Sequence, residues 1–182
     1  MSRDFYNELA YDRMNWILIR KYGDETLMKN ADFYGLVNIE YPDDYIEMST
    51  EEISKYFKDN ALRWGVRSPE KHVILSLGKT KDSFFNLFYD AKSALTGGEN
   101  VLKKTLKDYE RLERFDTTLL GNAAMGVHFE YTADDKPIRQ FCELVVVRIK
   151  KCFYTVYCIS WAENAAENAA VFENFRTALK LV

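Results

Sequence analysis

Apolar and polar residues alternate most regularly in the last third of the chain. Between positions 127 and 132 every second residue is apolar, which is typical of a strand with one buried face. A long apolar strand is predicted over 138–149, a tight turn at Lys150 and Lys151, and a partner strand over 152–161. Because short turns join these segments, the pattern predicts a three-stranded antiparallel meander.

The stretch 144–147, Leu-Val-Val-Val, is apolar at every position. A strand with one face in water alternates, whereas a strand that is covered on both faces does not. We therefore expect this strand in the middle of the sheet. It would have helices on both sides, or a subunit partner on one.

Shorter strands are predicted earlier in the chain. Residues 35–41 alternate, a turn follows at 42–44, and residues 45–48 would form the second strand of the same hairpin. Two further extended segments are predicted at 72–77 and 109–120.

Before the first hairpin the pattern is mixed. Residues 5–22 favour a helix, because Phe5, Leu9, Trp16 and Ile17 fit one helical face. Residues 23–34 are interpreted as a connector.

A capping box predicts the start of the next helix. Ser49 is followed three residues later by Glu52, so each side chain can accept a hydrogen bond from a free backbone amide. Apolar residues then recur at helical spacing, and Gly65 would end the helix. The buried stripe would consist of Ile53, Phe57, Ala61 and Trp64.

Two more helices are predicted downstream. One starts at Asp82 or Ser83, carries Phe84, Phe88, Ala91 and Leu95, and would stop at Gly97 and Gly98, with a short additional helix over 99–108. The last covers about 163–181 and buries Phe172, Phe175 and Leu179. We expect the aromatic stripes of the helices at 49–65 and 82–98 to lie in the core. The alternative is a hydrophobic groove between helix and sheet that accepts a partner helix.

Hairpin-connected strands with helices grouped around them indicate the α+β class. We expect an antiparallel sheet of about 5–7 strands with helices on both faces. The length of 182 residues suits one such domain.

Charge and composition limit the classes of function and location that fit the sequence. The net charge of −3 offers no basic stripe, so a nucleic-acid partner is not expected. The sequence begins without the basic start and apolar run of a signal peptide, and no stretch approaches a membrane span of about 20 apolar residues. We therefore expect a cytoplasmic protein without membrane insertion.

Several features of the second half resemble the PsbP/DcrB superfamily. A strand leads into an aromatic–Pro turn at Pro42, an extended segment ends in Gly121-Asn122-Ala123-Ala124, a strand ends in the aromatic Tyr131, and a meander precedes a terminal helix with Phe172 and Phe175. The superfamily includes the extrinsic oxygen-evolving protein of photosystem II, the DcrB lipoproteins, a Ran-binding import factor and cytosolic chaperones for secreted effectors.

The resemblance covers 33–182 and implies a PsbP-like α+β domain there. Residues 1–32 would then form an N-terminal helical arm. The resemblance also implies protein binding, and it carries over no catalytic residues.

The candidate catalytic groups are few. His128 and Glu130 share one face of a strand and could form an acid–base pair, although a polar, solvent-facing surface explains them more simply. Of the cysteines, Cys152 follows two lysines and is the best candidate nucleophile.

We expect Cys142, Cys152 and Cys158 to be reduced, buried thiols. Cys152 and Cys158 would lie roughly 20 Å apart on one strand, beyond the span of about 7 Å that a disulfide allows. Cys142 could face Cys158 only across a hairpin turn with an odd number of residues.

No metal site or cofactor is expected. The chain has two histidines and no C-x₂-C pair, and Gly97-Gly98 lacks the lysine of a phosphate-binding loop. An acidic run breaks the register of a calcium loop and is interpreted as a solvated edge or an acidic protein-binding surface. It consists of Glu40, Asp43, Asp44, Glu47, Glu51 and Glu52.

We therefore expect a non-enzymatic protein-binding domain, an adaptor or a secretion chaperone. One alternative is a small enzyme that uses His128, Glu130 or a cysteine. The other is a structural component of a homo-oligomer. A homodimer is compatible with an adaptor and with a secretion chaperone.

Overall fold

The computed structural model describes residues 27–59, 61–133 and 137–182. Within these residues strands dominate and three α-helices accompany them. In chain order the elements are β1 (Met28–Phe33), β2 (Val37–Pro42), β3 (Ile46–Glu47), α1 (Thr50–Tyr56), β4 (Leu62–Ser68), β5 (Val73–Lys79), a 3₁₀ helix (Phe84–Phe88), α2 (Ala91–Thr105), β6 (Lys107–Leu119), β7 (Asn122–Thr132), β8 (Arg139–Ile149), β9 (Cys152–Trp161), a 3₁₀ turn (Ala162–Asn164), α3 (Ala165–Ala178) and β10 (Lys180–Leu181).

The strands form two antiparallel sheets. The large sheet has seven strands in the order β3-β4-β5-β9-β8-β7-β6, and the small sheet has three in the order β1-β2-β10. The α+β class and the predicted strand number are confirmed, and so is the meander of β7, β8 and β9.

Strand β8 lies inside the large sheet, as its unbroken apolar stretch predicted. Val145 and Val147 pack on one face with the aromatic residues of α3, while Leu144 and Val146 pack on the other face with Leu95 of α2. β8 thus has buried apolar side chains on both faces, and helices cover both faces of the sheet.

The two covering layers differ in composition. On one face, α3 buries Phe172 and Phe175 together with Phe33 and Ile39 of the small sheet. On the other face, α1 and α2 pack over β4, β7 and β8. The small sheet and α3 thus form one layer, and α1 and α2 form the opposite layer.

The predicted helix from Ser49 to Gly65 is half wrong. The capping box exists, since Glu52 N donates to Ser49 Oγ and Ser49 N donates to Glu52 Oε2. The helix ends at Tyr56, however, and Trp64 and Gly65 lie in β4, paired with β5. Strand pairing with β5 outweighs the helical spacing of the apolar residues at this position.

The second predicted helix divides differently from the expectation. Phe84–Phe88 forms a separate 3₁₀ helix, and Asp90 caps α2 by accepting a hydrogen bond of 2.7 Å from Ser93 N. Gly97 and Gly98 lie inside α2 and do not stop it, so the short helix predicted over 99–108 is the second half of α2. Burial of Leu95 and Glu99 against the sheet holds the helix together across the glycines.

The start of the domain also departs from the prediction. Within the predicted connector, Met28–Phe33 is strand β1 and pairs with β2. Strand β3 pairs with β4 of the large sheet and forms no hairpin with β2. The buried ring of Tyr45 anchors this crossing between the sheets. The predicted arm is described only from residue 27 onward, and its helix over 5–22 lies outside the described residues.

The terminal helix is confirmed as α3, with Phe172, Phe175 and Leu179 buried. The chain then adds Lys180 and Leu181 to the edge of the small sheet by pairing with β2.

Candidate functional site

An open cleft lies where α1, the β1–β2 turn and the first residues of β4 meet. Its volume is about 200 Å³. We call it the α1 cleft; its lining comprises Tyr34, Thr50, Ile53, Ser54, Phe57, Asp59, Ala61, Leu62 and Arg63.

The floor of the α1 cleft is apolar. Ile53 and Phe57 are half-buried, and the Phe57 ring packs 5.2 Å from the ring of Tyr157. These are the residues predicted as a buried helical stripe. Because α1 ends after two turns, it covers only part of the sheet, and the stripe remains open to the cleft.

The rim includes an aromatic residue in an uncommon backbone conformation. Tyr34 has φ of +54° in the β1–β2 turn, and its side chain is 62% exposed. Two hydrogen bonds fix the turn, from Leu36 N to Phe33 O and from Gly35 N to Asp32 Oδ2. A non-glycine residue with positive φ is a strained choice, and such strain clusters at functional sites.

A buried arginine lies at the base of the α1 cleft. The Arg63 guanidinium lies 4.3 Å from the centre of the Phe57 ring and 5.1 Å from that of Tyr157. It pairs with Asp59, and Nη1 donates to Ser76 Oγ at 3.4 Å, whereas Nε has no hydrogen-bond partner. The cleft therefore combines an apolar floor with one buried cation.

A second cleft, of about 180 Å³, separates α3 from the large sheet. We call it the α3 cleft, and its lining includes His128 and Glu143 from the sheet and Arg176 from the helix. The two small residues Ala165 and Ala169 leave the space open on the helix side.

His128 is fully engaged in this cleft. Nδ1 lies 2.8 Å from Glu113 Oε1 and Nε2 lies 2.9 Å from Glu143 Oε2, while Arg176 pairs with the other oxygen of Glu143. Burial of the ring disfavours its charge, but the hydrogen bonds that the ring nitrogens donate to Glu143 and Glu113 outweigh burial and raise the pKa of His128. Both ring nitrogens are occupied by carboxylates, so neither is free for a substrate.

The predicted pair of His128 with Glu130 does not form. Glu130 instead accepts a hydrogen bond of 2.9 Å from Arg139 Nε. The simpler reading of a solvent-facing surface is also incomplete, because α3 covers His128 and Glu143.

The three cysteines are free and buried. Cys158 lies opposite Glu143 in the β8–β9 pairing, and Cys142 lies opposite Ile159 on the other face of the sheet. Burial raises the pKa of both thiols well above the usual value, and it also raises the pKa of Cys152 despite nearby Lys79. None of the three lines either cleft.

The acidic run makes contacts within the protein. Glu47 accepts a hydrogen bond from the Tyr41 hydroxyl, Glu52 caps α1 and binds Arg67, and Asp44 pairs with Lys71. In the described parts of the chain, no three His, Cys, Asp or Glu side chains are grouped to hold a metal ion.

The second predicted stripe divides: Leu95 lies in the core, as predicted, whereas for the aromatic residues Phe84 and Phe88 the prediction is wrong. Phe84, Phe85 and Phe88 are each more than 60% exposed in the 3₁₀ helix. Helical spacing gave no sign of this, since an exposed and a buried stripe have the same period.

Comparison with known proteins places this architecture. No family model matches the chain, and no curated protein matches it by sequence. Among solved structures, cyanobacterial PsbP (CyanoP) from Synechocystis sp. PCC 6803 superposes with a TM-score of 0.61 at 10% identity, covering 88% of this chain and 96% of that one.

Two further structures are similar. The Ran-binding protein Mog1p of Saccharomyces cerevisiae has a TM-score of 0.53 at 10% identity, covering 87% of this chain and 97% of Mog1p. A Bacteroides thetaiotaomicron VPI-5482 protein has a TM-score of 0.56 at 8% identity, covering 87% of this chain and 49% of its own. The chain has a PsbP-like fold, as its resemblance implied; at these identities the likeness establishes the fold alone.

None of the helices described is long and apolar enough to cross a bilayer.

Proposed function

We propose that this protein is a non-enzymatic protein-binding domain, an adaptor or chaperone, whose α1 cleft receives an apolar side chain of its partner. The observation that carries the proposal is the open apolar floor of Ile53 and Phe57 beneath the exposed ring of Tyr34. Exposed apolar surface with a polar rim is typical of protein contact sites.

The size of the cleft supports an anchor side chain better than a free ligand. Small-molecule sites commonly enclose about 300–1,000 Å³, and the α1 cleft encloses about 200 Å³. Binding energy at protein interfaces concentrates in a few side chains that fill such pockets. The hydroxyls of Thr50 and Ser54 and the Arg63–Asp59 pair would then face polar groups beside the anchor.

The resemblance in fold points the same way. One neighbour, Mog1p, is described as a Ran-binding protein. A shared fold does not transfer the partner, but it supports a surface used for contact with protein.

The enzyme alternative finds less support. The α3 cleft contains His128 and Glu143, but both imidazole nitrogens already contact carboxylates. Nucleophilic catalysis needs a nucleophile within hydrogen-bond reach of a base, and none of the buried cysteines lines either cleft.

Photo-crosslinking tests the proposal. A photoreactive amino acid placed at exposed Ser54, on the rim of the cleft, should capture a specific protein from a native lysate of the source organism. The same probe at exposed Lys104, on α2, is the matched control and should not capture it.

Two substitutions sharpen the test. Tyr34→Asn removes the ring but tolerates positive φ, and Leu62→Ser removes the apolar rim. Together they should abolish the adduct, whereas Leu112→Ser, at an exposed leucine of β6, should leave it intact. Identical adducts from Ser54 and Lys104, or an adduct that survives both rim substitutions, would contradict the proposal.

We further propose that the domain acts in the cytoplasm without a nucleic-acid partner, in keeping with its net charge of −3. Self-association through an apolar surface is the remaining alternative. Light scattering would reveal it as twice the monomer mass of 21.3 kDa.

A further inference from the structure

We propose that segment 84–89 docks the protein on the surface of an anionic lipid membrane. This surface is separate from the α1 cleft: neither of the two clefts described above includes a residue of 84–89. The inference therefore stands independently of the proposed protein partner.

The segment presents a concentrated apolar surface. Phe84, Phe85, Leu87, Phe88 and Tyr89 follow one another with only Asn86 between them, and they are 40–73% exposed. The rings of Phe84 and Phe88 meet edge to face at 5.5 Å. Five such side chains in six positions exceed the scattered exposure that is normal on a protein surface.

Polar contacts hold the segment on the end of the β8–β9 hairpin. Ser83 N and Asn86 Nδ2 both donate to Lys151 O, at 3.0 and 2.9 Å. Arg148 Nη1 donates to the carbonyls of Leu87 and Tyr89, at 2.9 and 3.2 Å.

These contacts also satisfy two backbone acceptors of the segment. The carbonyls of Leu87 and Tyr89 each accept a hydrogen bond from Arg148, so covering them with an apolar phase leaves no unpaired acceptor at either position. The five apolar side chains remain exposed beside these contacts. The segment is thus suited to enter the boundary between headgroups and acyl chains.

The charge around the segment is opposite to that of the whole protein. Residues 79–92 and 148–151 contain six basic and two acidic side chains, a local net charge of +4, whereas the whole chain carries −3. One of the two acids, Asp82, pairs with Lys79, and the other, Asp90, caps α2. The basic residues are Lys79, Lys81, Lys92, Arg148, Lys150 and Lys151.

Aromatic side chains flanked by lysines are the signature of interfacial membrane binding. Apolar burial and the attraction of basic residues to anionic lipids add to each other. A protein partner would need a concave site for five projecting side chains. A lipid surface deforms around them, and this favours the membrane as the occupant.

Vesicle co-sedimentation tests the inference with the 182-residue chain. The wild type should sediment with phosphatidylcholine vesicles that contain phosphatidylglycerol, and far less with vesicles of phosphatidylcholine alone. The triple variant Phe84→Ser, Phe85→Ser, Phe88→Ser and the charge variant Lys150→Glu, Lys151→Glu should each reduce the partition by about tenfold or more.

Matched controls use equivalent residues elsewhere. Leu112→Ser removes an exposed apolar side chain. The double variant Lys55→Glu, Lys107→Glu reverses two exposed charges outside residues 79–92 and 148–151. Both variants should sediment as the wild type does. If the triple variant fails to fold by circular dichroism, Phe85→Ser alone, at the most exposed of the rings, replaces it.

Three results would overturn the inference. They are a wild type that ignores anionic vesicles, a Phe85→Ser variant that binds as well as the wild type, and equal binding to both kinds of vesicle. A chain that ignores vesicles but binds poly-glutamate through the same residues would assign the surface to an acidic protein instead.

Discussion

The imidazole of His128 on β7 links the two strands that flank it in the sheet. It contacts Glu113 of β6 and Glu143 of β8, and Glu143 in turn pairs with Arg176 of α3. Charge-assisted hydrogen bonds of this kind are stronger than neutral ones. The cluster therefore ties the last helix to the sheet.

This cluster should make stability depend on pH. Since the pKa of folded His128 is raised above its ordinary value of 6.5, its contribution is complete below that value and is lost as pH rises through the raised pKa. Burial opposes the charge of Glu143, but His128 and Arg176 lower its pKa, so the carboxylate loses its contribution only as pH falls below its ordinary value of 4.5. The cluster is strongest between these limits.

Near pH 5.5, His128→Gln removes charged hydrogen bonds and should lower the free energy of unfolding by about 1–2 kcal/mol. Near pH 9 the same substitution should lower it by less. Urea unfolding at both pH values measures the difference. His72→Gln is the matched control, since it removes the other histidine, whose ring stacks on Trp161. An equal loss at both pH values would show that the ring acts by packing alone.

At the scale of elements, two glycines have opposite roles. Gly98 lies on the exposed side of α2, and an added Cβ there would meet no atom within 4 Å. At Gly126 of β7, an added Cβ would lie 2.3 Å from the ring of Phe115 on β6. One glycine interrupts a helix without a packing need, and the other makes room for a ring.

Gly98→Ala should therefore raise the free energy of unfolding by about 1 kcal/mol, through helix propensity. Gly126→Ala should lower it by about 1–3 kcal/mol, because the Phe115 ring must move. Thermal and urea unfolding of the two variants provide the comparison, each serving as the control for the other. A stabilised Gly126→Ala variant would mean that Phe115 shifts without cost.

The elements also show what the sequence can predict. The meander follows from the alternation of apolar and polar residues, and the central position of β8 follows from the loss of that alternation. The capping box correctly predicted the start of α1. The predicted lengths of the helices were wrong, because apolar spacing at 3.6 residues does not show whether a segment forms a helix or pairs as a strand. For Trp64 the pairing with β5 wins, and for Gly98 burial on either side sustains the helix.

The sites were harder to predict than the elements. The row of Glu113, His128 and Glu143 depends on strand register, which two irregularities in the β6–β7 pairing help to set. The α1 cleft depends on Tyr34 of the β1–β2 turn lying close to α1 and to the first residues of β4. Single-sequence periodicity contains neither piece of information.

At the scale of the whole molecule, the large sheet is shared by two separate apolar clusters. Val147 belongs to the cluster under α3 and the small sheet, and Val146 to the cluster under α1 and α2. Adjacent residues of one strand thus support opposite layers. We expect both layers to unfold together, because neither retains a core once β8 is lost.

Val146→Ala and Val147→Ala test this coupling. Each removes buried methyl groups and should lower the free energy of unfolding by about 2 kcal/mol, between the usual costs of smaller and larger core truncations. The exposed Val101→Ala variant is the control and should stay within about 0.5 kcal/mol of wild type. Far-ultraviolet circular dichroism follows both layers, and tryptophan fluorescence includes Trp64, which stacks on Phe175 at 6.4 Å beneath α3. Coincident urea transitions in all variants are expected; a Val146→Ala transition in which the dichroism falls before the fluorescence would show that the α1 and α2 layer unfolds alone.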